Sequence, residues 1–123
     1  MLSPRHPYHF LSSGQHLRCR GPAVALACIS QPHILEIARA AVFLAARLPV
    51  WPLRSLSTLA PWLAQHPGCP LIMVECTDQG RELLFLADPA HLESAECLPL
   101  PLRTTQVLSA ARKICYRRLG IAA

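Results

Sequence analysis

Apolar and polar positions fall into blocks along this chain, and the period changes from block to block. Ala23-Val24-Ala25-Leu26-Ala27-Cys28-Ile29 is a continuous apolar run bounded by Gly21-Pro22 and Ser30. A strand buried on both faces has that signature. After Ser30 the period becomes helical. Ser30 has the chemistry of an N-cap, and Pro32 suits a first helical turn. Ile34, Ile37, Ala38, Ala41, Leu44 and Leu48 make the apolar stripe of a helix running to about Arg47. Residues 48–54 read as a second strand, interrupted by Pro49 and Pro52. Residues 56–65 read as a second helix, capped by Ser55 or Ser57 and ended by His66-Pro67-Gly68. Pro61 inside that helix implies a kink or a late start.

Leu71-Ile72-Met73-Val74 predicts a third strand ending at Glu75. Two paths are open beyond it. Thr77-Asp78-Gln79-Gly80 can be a hairpin turn that makes 82–88 an antiparallel fourth strand. Alternatively 78–86 is a third helix and the fourth strand is lost. A full parallel crossover does not fit, because it needs about a dozen residues or more. Residues 89–95 read as a helical turn or short helix, and 97–102 as a last strand carrying Pro99 and Pro101. A terminal helix starts at Thr104 or Thr105 and reaches Arg117, with Val107, Leu108, Ala111, Ile114 and Cys115 as its stripe.

Proline removes a ladder donor and is excluded from central strands. The second and last strands carry the prolines, which makes them edges. That fits a flavodoxin-like order 2-1-3-4-5. The expected fold class is therefore α/β: a three-layer sandwich around a mostly parallel sheet of 4–5 strands. The expected organisation is an N-terminal arm or short hairpin over 1–20, turning at Ser12-Ser13-Gly14, one domain over 21–118, and a tail over 119–123.

Composition sharpens this. The chain has 123 residues, 52% hydrophobic and only 15% charged, which is apolar enough to suggest an interface. The apolar stretch over 34–50 contains Glu36, Arg39 and Arg47 and has helical periodicity, so no membrane span is expected. Residues 1–20 lack acids and the apolar core of a secretory signal, although an organellar targeting peptide shares their composition. A cytoplasmic location is expected.

The net charge of +5 is uneven. Glu36 is the one acid before Glu75, while basic residues gather at Arg5, Arg18 and Arg20 and at Arg112, Lys113, Arg117 and Arg118. The latter group can oppose the dipole at a helix C-terminus or attract a partner. With Leu108 they form a candidate partner face. Nucleic acid is not the expected partner, because neither aromatic interleaving nor a nucleic-acid motif accompanies the arginines. The six cysteines include no C-x-x-C pair, and zinc-like spacings with His33, His66 or His91 are missing. Neither a metal nor a cofactor is expected.

Three short motifs resemble the bacterial response-regulator receiver family. Ser30-Gln31-Pro32-His33-Ile34-Leu35-Glu36 looks like the junction of first strand and first helix. Cys69-Pro70-Leu71-Ile72-Met73-Val74-Glu75 looks like the third strand, with the phosphorylation position last. Leu98-Pro99-Leu100-Pro101-Leu102 looks like the lysine-proline strand end. The resemblance puts Ile29 and Ser30, or Ser30 and Gln31, where the family has a magnesium-binding acidic pair. It maps the phospho-accepting aspartate onto Glu75, the hydroxyl position near Ala87, and the lysine onto Leu100. It also implies that Leu100–Pro101 could be cis. The family's phosphorylation chemistry is missing from these positions.

The resemblance therefore implies a degenerate, shortened receiver: a bacterial, non-catalytic signalling or regulatory module acting through protein–protein interaction or as a homodimer. The degenerate pocket would comprise Ser30, Gln31, Glu75, Ala87, Leu100 and Pro101. Two alternatives stand beside it. One is a small α/β enzyme or ligand binder gathering Ser30, His33, Glu75, Asp78 and Asp88 at the carboxyl ends of the strands, with Cys76 as a thiol. The other is nucleic-acid binding through the arginine-rich ends. No phosphate loop, nucleophile elbow or metalloprotease helix supports an enzyme.

Overall fold

The computed structural model describes residues 24–118. The arm expected over 1–20 and the tail over 119–123 lie outside the described residues. Five strands form one sheet in the order β2-β1-β3-β4-β5, with β1 at Ala25–Cys28, β2 at Val50–Pro52, β3 at Ile72–Asp78, β4 at Arg81–Asp88 and β5 at His91–Pro99. The helices are α1 (Pro32–Ala46), α2 (Leu59–Gln65) and α3 (Thr104–Arg118). The expected strand order and the two proline-bearing edges are what the structure has.

The sheet is not mostly parallel. β1 pairs parallel with β2 and β3, but β3–β4 and β4–β5 are antiparallel and hold more of the paired residues. The cause is loop length. Gln79-Gly80 is a two-residue connection, and both residues have positive φ, 53° and 78°. Such a turn matches the twist of a hairpin and leaves no chain for a crossover. The hairpin path after Glu75 is the one taken, and the alternative helix over 78–86 is absent. The helical turn expected over 89–95 is also absent. Asp88 Oδ1 accepts the Ala90 N–H at 2.9 Å in a tight turn, and β5 begins at His91. The last strand therefore starts earlier than 97 and ends at Pro99.

Packing is three-layered. On one face α1 and α3 lie against Ala25, Ala27, Met73, Leu84 and Leu86. Their contact residues are small or aliphatic: Ala38, Ala41, Val42 and Ala45 from α1, and Val107, Ala110, Ala111 and Ile114 from α3. Alanines let the two helices approach closely, which narrows the buried stripe. Leu44, expected in that stripe, is displaced to the surface at 56% exposed, beside Phe43. On the other face Leu59, Trp62 and Leu63 cover Leu26, Ile72 and Ala87, with Trp62 stacked on His66. Pro61 sits in the first turn of α2, preceded by a 3-10 turn over Leu56–Thr58, so this helix starts late rather than kinking. Ser55 caps that turn through the Ser57 N–H. Among the described residues no helix is long and apolar enough to cross a membrane.

Candidate functional site at the strand ends

The fold brings β1 and β3 side by side in parallel, so the residues just past their carboxyl ends meet. Leu26, Ala27 and Cys28 pair with Ile72, Met73 and Val74, which leaves Ser30 and Gln31 opposite Glu75. Glu75 is fastened there. One carboxylate oxygen accepts the Ser30 N–H at 2.8 Å and the Ser30 hydroxyl at 2.9 Å, and the other accepts the Gln31 side-chain amide at 2.5 Å. Partial burial pushes the carboxyl's proton affinity up. The hydrogen bonds from Ser30 and Gln31, backbone and side chain, outweigh burial and hold it below the usual glutamate range.

This arrangement changes the role of Ser30. The N-cap of α1 is Gln31, not Ser30, and no side chain of its own caps the helix. The first turn also lacks an acid, and Pro32 occupies its start. Glu75 supplies the negative charge from a neighbouring strand, where the helix dipole favours it. The carboxylate thus ties β3 to the β1–α1 junction, just ahead of the helix start. With three hydrogen bonds accepted and its proton affinity lowered, it is a poor base and a poor phosphoryl acceptor.

The other mapped positions divide. Leu100 and Pro101 do reach this end of the sheet, and their peptide bond is cis. The Leu100 N–H donates to the Glu82 carbonyl at 3.0 Å. Ala87 does not reach it. Because β4 runs antiparallel, Ala87 pairs with Ile72 and is fully buried, toward the opposite end from Glu75, whose partner is Leu84. Ala87 therefore leaves the candidate pocket. Ile29 is buried in the core at 8% exposed.

The wider crevice also does not assemble. Asp78 ends β3 three residues beyond Glu75 and, by strand alternation, on the other face. Asp88 is 4% exposed at the far end of β4. Cys76 faces away from Glu75. Burial first, then the charges of Cys97 and Asp78, raise its thiol pKa. Cys28 is raised likewise, by burial and then by Glu75. Both thiols are held protonated, the opposite of an activated nucleophile. Among the described residues no group of His, Cys, Asp or Glu could hold a metal ion.

Sequence reasoning did not find the opening beside this junction. A pocket of about 350 Å³ is walled by Ile34, Ile37, Leu100, Pro101 and Leu102, with Gln31, His33 and Glu82 at its polar side. The missed signal was Glu82. It is in register with Thr77, so it shares a face with Glu75, which becomes visible only once β4 is known to be antiparallel. On the candidate partner face, Leu108 is half-buried against the core while Arg112 and Lys113 are exposed. The side chains of Arg117 and Arg118 lie outside the described residues.

No family model matches the chain, nor does any curated protein or solved structure.

Proposed function

We propose that the chain is a non-catalytic, receiver-like regulatory module that works by binding a protein partner or a second copy of itself. The observation that carries this reading is the state of Glu75. The residue at the would-be phosphorylation position is consumed by hydrogen bonds to Ser30 and Gln31, so the strand-end site is tied shut instead of open. Strand order 2-1-3-4-5 supports the receiver-like part of the reading. The antiparallel β3–β5 meander removes the third crossover helix, so its output surface lies elsewhere. Exposed Arg112 and Lys113 on α3 offer one.

Two experiments test it. Incubation with acetyl phosphate and magnesium, read by intact mass, leaves the chain unmodified. Size-exclusion chromatography with light scattering gives a dimer, or a stable complex with a captured partner, that is weakened in Arg112→Glu/Lys113→Glu. A phosphorylated Glu75, or a monomer indifferent to the α3 substitutions and without a partner, overturns the proposal.

A further inference from the structure

The pocket beside the tether combines apolar walls with one acid. Its walls are aliphatic, from Ile34, Ile37, Leu100 and Leu102, and Glu82 stands exposed at the rim. Glu75 lies behind Gln31, whose side-chain amide donates to it. Glu82 is the one acid among the residues that line the opening, in a protein of net charge +5. Arg81, next to Glu82, alternates to the other face of the sheet, where it is in register with Asp78. Arg103 follows Leu102 and is exposed.

We propose that this pocket receives a basic side chain, arginine or lysine, from a partner protein, its aliphatic stem against Ile37 and Leu102 and its charged head at Glu82. The chemistry matches part by part. A long cationic side chain buries its methylenes on apolar surface while keeping its head at a polar rim. A guanidinium also fits a carboxylate in a bidentate manner. Glu82 is in no ion pair among the described residues, and such an acid at the rim selects a cation over a neutral group of equal size. This inference rests on the reading of the chain as an interaction module and names the chemistry of what it binds.

The test uses the full chain, isotope-labelled, titrated with n-butylguanidinium and, separately, with 1-butanol as the uncharged counterpart, both read by amide chemical shifts. The expected result is saturable shifts at Gln31, His33 and Leu102, with a dissociation constant on the order of millimolar for so small a fragment. Glu82→Gln, an exposed substitution that leaves the fold intact, weakens binding about three- to fivefold. Shifts confined to other residues, an equal response to 1-butanol, or no loss in Glu82→Gln overturns the inference. Acetyl-phosphate labelling of Glu75 together with normal probe binding overturns the regulatory reading and leaves the pocket. Absence of both overturns the pocket alone.

Discussion

On one side of β3 the sheet is parallel; on the other it is an antiparallel meander with two-residue turns. The parallel half, β2-β1-β3, places successive carboxyl ends together, and that is where Ser30, Gln31 and Glu75 meet. The meander carries its chain back and forth, so chemically similar positions end up at opposite ends. Ala87 and Asp88 lie at one end and Glu82 at the other. The same segment order, built with antiparallel pairing, cannot assemble a four-sided strand-end site. What it builds instead is a small pocket between the first turn of α1 and the loop after β5.

The largest expected effect asks whether the two halves share one core. Leu26 belongs to the parallel half and Leu86 to the meander, and both are fully buried. Leu26→Ala and Leu86→Ala should each cost about 2–5 kcal/mol in denaturant unfolding, in a single transition. A small effect at Leu86, or two transitions, would separate the meander from the rest.

Next comes the tether inside the parallel half, between β3 and the β1–α1 junction. Glu75→Gln removes a charge-assisted acceptor at a partly exposed position. A cost of about 1 kcal/mol is expected after solvent screening. The sign with pH follows from the lowered pKa. The stabilisation is present above the unfolded-state value and is lost as pH falls through the folded value. Wild type should therefore lose more stability than Glu75→Gln on acidification, and parallel unfolding curves would contradict the tether.

The turn that forces the meander is a smaller lever. Gly80 has φ 78° with open space around its missing side chain, so Gly80→Ala meets backbone strain without a clash. A loss of about 1 kcal/mol in thermal unfolding is expected. The smallest effect is on reactivity. Cys28 and Cys76 should alkylate slowly with iodoacetamide at neutral pH, followed by mass spectrometry. Glu75→Gln should speed Cys28 selectively, because the Glu75 charge helps to hold its thiol protonated.

Legibility in the sequence follows the same division. The parallel half was readable because burial on both faces leaves an unbroken apolar run over 23–29, and because Pro32 and the alanine-rich stripe mark α1. The edges were readable from their prolines. β5 was not, because His91-Leu92-Glu93-Ser94-Ala95-Glu96 mixes charge with small residues on an exposed edge, where neither period dominates. The meeting of Glu75 with Ser30 was foreseen as a mapped position. Its meaning was not, since a carboxylate fastened to a donor, Gln31, 44 residues away in sequence leaves no local pattern. The pocket with Glu82 depends on register, which only the hairpin fixes.

The most direct measurement is a carbon-detected NMR titration of the Glu75 carboxyl in the full chain and in Ser30→Ala. The account predicts a midpoint below the ordinary glutamate value, moving up toward it when the Ser30 hydroxyl is removed. An ordinary or raised midpoint, unmoved by Ser30→Ala, would mean that the strand-end carboxylate is free and the site open.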